Sequence, residues 1–234
     1  MEAELFDAIR DDDFDKVKTL ITDSNIDINT KTDKGKNALM YACDIGNGNL
    51  ELVKYLVEKG IDINAKDNDG ETALFKSYEN FDISKYLIEK GLDINAKNDE
   101  GNNPLLISCM CPYIATVEFL IKECKADIDV RDNDGNTPLH LVFECEYPEI
   151  EIIEFLLDNG ANINAKNNRG ENVLRYACEH YGIEDIIKFL IEKGADINMK
   201  DNIGRSALEA ACKLEDLPVV KLLIENGASA KYEN

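Results

Sequence analysis

The closely spaced cysteines Cys109 and Cys111 are the first residues in this sequence that could do chemistry, because a pair of thiolates can bind zinc. A structural zinc site has four ligands, usually arranged as two close pairs of cysteine or histidine. The next cysteine, Cys124, stands thirteen residues further on and has no close partner. The spacing therefore does not predict a zinc site, although Cys111 and Cys145 fall at positions where a thiol could be exposed and reactive.

Other catalytic and ligand-binding motifs are absent from the sequence. The tetrapeptide DNDG at 67–70 and 132–135 begins like a calcium-binding loop, but no glutamate closes either loop at the twelfth position. The glycines form neither G-x-G-x-x-G nor a phosphate-binding loop. Only two histidines occur, and His180 is a lone histidine in a predicted loop. We therefore predict no catalytic residue, no metal and no cofactor, and a protein that is not an enzyme.

The second DNDG lies in a cassette, residues 131–144, that predicts a turn followed by a helix. Asp132 can accept hydrogen bonds from nearby backbone amides, and Gly135 can adopt a positive φ without steric cost. Thr137 is a helix N-cap type, and Pro138 suits the first helical position. The apolar residues that follow at spacings of three and four predict the buried face of that helix.

This cassette occurs six times along the chain. Its glycine returns at intervals of 35, 31, 34, 35 and 34 residues, as Gly35, Gly70, Gly101, Gly135, Gly170 and Gly204. The second residue after each glycine is a good N-cap, namely Asn37, Thr72, Asn103, Thr137, Asn172 or Ser206. Two residues further on, every copy has a leucine: Leu39, Leu74, Leu105, Leu139, Leu174 and Leu208. A period in the thirties indicates an array of stacked repeats.

The cassette resembles the ankyrin repeat, whose pattern is D-x-x-G-x-T-P-L-H-x-A. Residues 132–142, DNDGNTPLHLV, match it almost completely, and residues 67–77, 167–177 and 201–211 are close to it. The resemblance covers nearly the whole chain. It implies an all-α fold, an ankyrin-repeat solenoid of stacked helix-turn-helix units joined by β-hairpin-like turns. It also implies that His140 is structural and forms a hydrogen bond that holds the turn.

We predict a single ankyrin-repeat domain over residues 1–234. Residues 1–31 form two capping helices, and six repeats follow at 32–66, 67–97, 98–131, 132–166, 167–200 and 201–234. Most second helices are expected to end at a glycine in the left-handed conformation: Gly60, Gly91, Gly160, Gly194 and Gly227, with Asn25 and Lys125 at the two other ends. Ser84 replaces the valine or isoleucine of the other second helices, so we expect the weakest interface near residues 76–86.

The net charge and the cysteine content predict which class of partner the protein binds and in which cellular compartment it lies. The formal net charge is −21, which repels phosphate and anionic lipid and attracts basic partners. We therefore expect no nucleic acid and no membrane as partner, and a monomer. The seven cysteines are an odd number without the paired spacing of a disulfide framework. Because the N-terminus also has no signal-peptide pattern, we expect a cytoplasmic protein.

The resemblance implies that the turn tips and the first helices line a concave face that binds a protein or peptide. The exposed first-helix position holds Tyr41, Lys76, Ile107, Leu141, Tyr176 and Ala210. The tips hold Asp69, Glu71, Asp99, Glu100, Asp134 and Glu171. Large apolar side chains within an acidic rim suit a partner that has basic and apolar side chains.

The leading hypothesis is therefore a non-enzymatic scaffold for protein–protein interaction. The alternative is a structural spacer, or a fragment of a larger array, with no partner site of its own; apolar exposure on the helix at 217–226 would favour it. A mimic of nucleic acid, whose acidic tips occupy a basic DNA-binding protein, is a special case of the first hypothesis. Some members of the family are hydroxylated at a connector asparagine, and Asn64, Asn95, Asn164 and Asn198 match that position.

Overall fold

The computed structural model describes residues 2–23, 26–44, 48–110, 113–145, 147–180 and 183–229, and in these ranges the chain forms helices in pairs. The pairs are α1 (Glu2–Arg10) with α2 (Phe14–Asp23), α3 (Ala38–Asp44) with α4 (Leu50–Glu58), α5 (Ala73–Lys76) with α6 (Phe81–Glu89), α7 (Pro104–Met110) with α8 (Ile114–Lys122), α9 (Pro138–Leu141) with α10 (Ile150–Asp158), α11 (Val173–His180) with α12 (Glu184–Glu192), and α13 (Ala207–Lys213) with α14 (Leu217–Glu225). A 3-10 helix, Val142–Glu144, continues α9. The predicted all-α fold is confirmed.

The chain forms two compact units. The N-terminal unit comprises Met1–Ile107 and Glu118–Ala126, and the C-terminal unit comprises Ser108–Val117 and Asp127–Asn234. Within the N-terminal unit, α1 packs against α3 and α3 against α5. Within the C-terminal unit, α9 packs against α11, α11 against α13, and α12 against α14. Corresponding helices of neighbouring repeats therefore lie side by side in each unit. The single domain over 1–234 and its repeat boundaries stay predictions.

The core of each unit is formed by the residues that recur in the sequence. All six leucines of the cassette are buried: Leu39, Leu74, Leu105, Leu139, Leu174 and Leu208. The second helices contribute a second buried leucine each, at Leu56, Leu87, Leu120, Leu156, Leu190 and Leu223. Because each repeat covers the apolar face of the next, the stack provides a core that one helix pair could not form alone.

Left-handed residues end the second helices, as the sequence predicts. Gly60, Gly91, Gly160, Gly194 and Gly227 have φ between 84° and 98°. Lys125 stands at the corresponding position after α8 and adopts φ 58° in spite of its side chain. Asn25, the other predicted exception, lies outside the described residues. A helix that ends this way turns sharply, so the connector can lead into the next repeat.

Asparagine side chains cap three of the first helices, and two others have a capping box, at Thr137 and Ser206. The asparagines Asn37, Asn103 and Asn172 each accept a hydrogen bond at 3.0 Å from the amide three residues on. Thr72 has the extended backbone of a cap residue, with φ −98°. Its buried hydroxyl, however, has no hydrogen-bond partner among the described residues. The predicted cap is therefore wrong at Thr72, where the backbone turns into the helix without a side-chain bond.

The short repeat at 67–97 accommodates its serines with a buried hydrogen-bonded pair. The hydroxyl of Ser84 donates to the carbonyl of Ser77 at 2.7 Å, and the two hydroxyl oxygens lie 3.0 Å apart. Both side chains are buried, so these bonds replace the apolar contact that valine makes elsewhere. That this repeat opens first stays a prediction.

The turns between repeats are closed by backbone hydrogen bonds; in one of them the amide of Asp67 donates to the carbonyl of Glu71 at 2.9 Å and the amide of Gly70 donates to the carbonyl of Asp67 at 3.1 Å. An isolated antiparallel bridge joins Lys31 and Asn37, and no strand occurs in the ranges given above. The β-hairpin-like form of the turns therefore stays a prediction. None of the helices described is long and apolar enough to cross a bilayer.

Candidate functional site

From the second repeat onward, each turn tip is shaped by a side chain that accepts hydrogen bonds from the backbone, whereas in the first turn the hydroxyl of Thr32 has no partner among the described residues. The carboxylate of Asp67 accepts from the amides of Asp69 at 3.1 Å and Glu71 at 2.9 Å. The carboxylate of Asp132 accepts from the amide of Asn136 at 2.7 Å, as the sequence predicts. In these two turns the tip residues Asp69 and Asp134 are exposed to solvent.

Neighbouring tips are joined by backbone hydrogen bonds. In the N-terminal unit the amide of Asp99 donates to the carbonyl of Asp69 at 3.0 Å. In the C-terminal unit the amide of Asn168 donates to the carbonyl of Asp134 at 2.8 Å. The side chains of Asp69, Asp99, Glu100 and Asp134 are exposed, as expected. The N-terminal unit therefore presents exposed carboxylates on neighbouring, hydrogen-bonded tips, whereas in the C-terminal unit the tip residue Asp134 is followed by Arg169 and Ile203.

The first-helix position is partly accessible in the N-terminal unit. Tyr41, Lys76 and Ile107 are half-buried. The ring of Tyr41 packs against that of Phe6, with centroids 5.1 Å apart. These side chains therefore lie at the surface with one side anchored in the core, which suits an apolar contact to a partner at little cost in side-chain entropy.

The same position is buried in the C-terminal unit, so the predicted exposure is wrong there. Leu141 is 3% exposed and Tyr176 is 2% exposed, and Ala210 is also buried. The chain tightens into the 3-10 helix directly after Leu141, so the spacing of a continuous α-helix does not apply. Glu171, expected at an exposed tip, is 1% exposed because basic side chains cover it.

Tyr176 is held by contacts from three directions. Its hydroxyl donates to the carboxylate of Glu144. Its ring meets the imidazole of His140 edge-on, with centroids 5.5 Å apart, and the guanidinium of Arg169 lies 5.7 Å from its centroid. Burial, and then the bond to Glu144, raise the pKa of Tyr176. This tyrosine therefore packs among the first helices and is closed off from solvent.

Lys76 and Glu71 neutralise each other at the tip of the repeat at 67–97. The ammonium of Lys76 contacts the carboxylate of Glu71 and lies 3.4 Å from that of Asp67. Burial alone would lower the pKa of Lys76, but the hydrogen bond and charge of Glu71 outweigh it, and the pKa is raised. Of the predicted rim residues in the N-terminal unit, this leaves Asp69, Asp99 and Glu100 as the exposed negative charge.

Arg175 lies at the centre of a buried ionic network that the sequence analysis missed. Its guanidinium lies 3.1 Å from Asp201, 3.4 Å from Glu171 and 2.8 Å from Glu179. Burial alone would lower the pKa of Arg175, but its bonds to the carboxylates raise it. The spacing of Glu171, Arg175 and Glu179 at four-residue intervals is the signal that could have revealed it. The network links the last two repeats.

His140 joins two repeats, as the predicted structural role requires. The backbone amide of Thr137 donates to its Nδ1 at 3.3 Å, so Nδ1 is an acceptor. Its Nε2 then donates to the carbonyl of Glu171 at 3.1 Å. Burial lowers the pKa of His140 to about 4, so the ring is neutral near pH 7.

The connector asparagines also bridge repeats. The amide group of Asn64 accepts from the backbone of Asp93 at 3.0 Å and donates to the carbonyl of Gly91 at 3.5 Å. Asn164 and Asn198 make the equivalent pair of bonds to the repeat that follows each of them. These side chains therefore have a structural role, and their hydroxylation stays a hypothesis.

Residues that could do metal or thiol chemistry are not brought together. Among the described residues, no three side chains of histidine, cysteine, aspartate or glutamate form a group that could hold a metal ion. Cys109 is buried, and burial raises its thiol pKa, so it is a poor nucleophile. Cys111 and the side chain of His180 lie outside the described residues, and Cys145 is half-buried.

Comparison with known proteins agrees with this architecture. No curated protein matches the chain. The family model for ankyrin repeats, which spans three copies of the repeat, matches residues 5–98, 78–167 and 141–234. These matches cover almost all of the sequence, including the helix pairs, the stacked turns and the buried leucines described above. The chain belongs to the ankyrin-repeat family.

Proposed function

We propose that this protein is a non-enzymatic scaffold that binds a protein or peptide through its turn tips and first helices. Ankyrin repeats are generally modules for protein–protein interaction, and typically not enzymes, which supports this role. The observation that carries the proposal is the row of exposed carboxylates on hydrogen-bonded tips, exemplified by Asp69 and Asp99. A fixed row of like charges attracts an oppositely charged surface and sets its register.

The proposed contact surface differs between the two units. In the N-terminal unit it consists of Tyr41 and Ile107 as apolar contacts, with Asp69, Asp99 and Glu100 as the acidic rim. In the C-terminal unit Asp134 belongs to the surface. The remaining predicted residues support this surface without contacting the partner. Leu141 and Tyr176 pack beneath it, and the turns are fixed by Lys76, Glu71 and Glu171. This assignment follows from burial, since a side chain that is 2% exposed cannot contact a partner.

The proposed partner has basic and apolar side chains, and it binds the concave face that the family is expected to form. The net charge of −21 opposes nucleic acid and anionic membranes. The same charge opposes self-association, so we propose a monomer. A cytoplasmic location is part of the proposal. Its support is that six described cysteines are free thiols, which suits a reducing compartment.

Affinity capture from the source cell, followed by binding kinetics, tests the proposal. The bait is the full chain, and the matched negative bait has Tyr41→Ala and Ile107→Ala together. A captured protein that binds the parent and loses at least tenfold in affinity for the double variant supports the surface. Equal binding of both baits, with loss on changes to the second helices instead, would contradict it.

The spacer remains a second candidate, and one observation favours it. Ile224 on α14 is 55% exposed and Ile203 is 72% exposed, which is the apolar exposure expected of an array whose interface lies outside this chain. The spacer predicts that no captured partner depends on Tyr41 or Ile107. The capture experiment therefore separates the two candidates.

A further inference from the structure

The first residue of the second helix is apolar in every pair except one. These residues are Phe14, Leu50, Phe81, Ile114, Ile150, Glu184 and Leu217. The five that precede Glu184 are half-buried. Glu184 interrupts this apolar series directly before its last member, in the neighbouring repeat.

Leu217 is left exposed next to that interruption. Its relative exposure is 74%, and Glu184 is exposed as well. A leucine at the position of Glu184 would supply the neighbour that an apolar side chain at 217 needs. With a carboxylate there, the apolar surface of Leu217 remains in solvent, which costs roughly 25 cal/mol for each Å².

A shallow pocket lies at this point, between α12 and α14. It has a volume of about 410 Å³ and is lined by Glu184, Leu217, Pro218, Lys221, Leu222 and Glu225. The two helices pack against each other inside the C-terminal unit. The pocket is therefore a groove between two adjacent repeats, and it is separate from the exposed Ile203 and Ile224, which do not line it.

We propose that this pocket is a second contact surface, which binds an apolar side chain flanked by basic residues in a segment of a partner protein. Its lining includes the apolar residues Leu217, Pro218 and Leu222 and the carboxylates of Glu184 and Glu225. The ammonium of Lys221 lies 3.7 Å from Glu225 and balances one of the two carboxylates. The charge left at the pocket is negative.

Charge complementarity decides between the possible occupants. Two further exposed carboxylates lie close in sequence to the lining residues, at Asp185 next to Glu184 and at Glu215 in the loop before α14. A second copy of this chain would bring a net charge of −21 against this surface, which opposes association. A basic segment gains from the same charges, and an apolar side chain gains from covering Leu217.

A short synthetic peptide with two leucines flanked by lysines is the probe, titrated against the full chain by fluorescence anisotropy. Two matched peptides replace the leucines by serines or the lysines by glutamates. The variants are L217S, E184Q combined with E225Q, and I203S as the control for an equally exposed apolar residue outside the pocket. This site does not rest on the function proposed above, because none of its residues belongs to the surface proposed there.

The proposal predicts saturable binding of the leucine–lysine peptide alone. L217S should weaken it at least about tenfold, the double charge variant should weaken it and reduce its salt dependence, and I203S should leave it within about twofold. E184L restores the apolar series and should also weaken binding, because Leu217 is then covered. Equal effects of L217S and I203S, tighter binding by E184L, or a dimer that L217S dissociates would each overturn the proposal.

Discussion

Arg175 and Asp201 belong to neighbouring repeats, and their guanidinium and carboxylate groups meet at 3.1 Å with each side chain only 2% exposed. The same carboxylate also accepts backbone hydrogen bonds that shape the last turn, from the amides of Ile203 and Arg205. One ion pair therefore couples the first helix of a repeat to the tip of the next. Its loss would affect both the stack and the turn.

We predict that Arg175→Leu lowers the free energy of unfolding by about 1–3 kcal/mol, because the buried carboxylates of Glu171 and Asp201 then keep only their ion pairs with the more exposed Arg169 and Arg205. Leucine is the residue at the corresponding position of α7, Leu106, so its size suits the fold. Urea unfolding measures the change. Lys213→Ala is the control: its ion pair with Glu179 spans 3.8 Å at the surface and should matter by less than about 0.5 kcal/mol. An Arg175→Leu variant as stable as this control would contradict the role of the network.

Alanine substitutions at two glycines of the cassette test how closely neighbouring turn tips are packed. Gly135 and Gly204 have φ 75° and 84°. A Cβ on Gly135 would lie 2.5 Å from Oδ1 and 2.8 Å from the backbone nitrogen of Asn168, whereas one on Gly204 would meet no described atom within 4 Å. Gly204→Ala should cost about 1 kcal/mol for its conformation alone, and Gly135→Ala clearly more, because the tips must separate. Equal losses in thermal unfolding would show that the tips are not held closely.

The serine pair of the short repeat can be tested by removing one or both hydroxyls. Ser84→Val alone removes the hydrogen bond to the Ser77 carbonyl and leaves the buried Ser77 hydroxyl with only its 3.3 Å bond to the carbonyl of Leu74, so it should destabilise by about 1 kcal/mol. Ser77→Ala together with Ser84→Val removes both hydroxyls and introduces residues found at the equivalent positions Ala42 and Val53. The double variant should recover stability to the parent level or above. If it is less stable than Ser84→Val, the pair has a role beyond mutual hydrogen bonding.

The stability of the C-terminal unit should fall as the pH drops below neutrality because of His140. Its folded-state pKa is about 4, below the ordinary value of about 6.5, so the unfolded chain binds the proton first. Stability is therefore unaffected above about pH 6.5 and is lost as the pH falls toward 4, by about 2 kcal/mol between pH 7 and pH 5.

The His140→Gln variant isolates this contribution. It should be less stable than the parent at pH 7, where two hydrogen bonds are lost, but its stability should depend less on pH between 7 and 5. Asp201 and Glu179 do not interfere in this pH range. Burial raises the pKa of each carboxyl, but their hydrogen bonds outweigh that effect and lower it. Their contribution to the stability of the protein is therefore lost only under more acidic conditions. If the stability of the parent and of the variant changed with pH in the same way, the imidazole of His140 would not be the cause of the pH dependence.

The fold follows from the sequence because the repeated residues act locally. Gly135 and Asp132 shape their turn through backbone conformation and hydrogen bonds within a few residues, and Leu139 occupies a buried face set by helical spacing. Six copies also remove the ambiguity of any single segment. For these reasons helices, turns and core could be predicted from residue types and spacing.

The candidate surface could be predicted only in part, because exposure depends on side chains of the neighbouring repeat. Tyr41 and Tyr176 occupy the same position of the cassette, yet Tyr176 is covered by His140, Glu144 and Arg169, whereas Tyr41 remains half-buried. Glu171 is likewise buried by Arg175. The residues that cover Tyr176 from the preceding repeat, His140 and Glu144, are distant in sequence, and a repeat pattern does not encode such coverage.

The salt dependence of association with the captured partner tests the central claim most directly. The parent is compared with Asp69→Asn, Asp99→Asn and Glu100→Gln combined, and with a control that neutralises three exposed acids on second helices of the same unit, Glu58→Gln, Asp82→Asn and Glu89→Gln. The tip variant should associate about tenfold more slowly at low salt, and its rate should change less with salt, because these charges act at long range and are screened within about 8–10 Å. The control should stay within about twofold of the parent. Equal slowing of both variants, or no slowing by the tip variant, would contradict a partner site at the tips.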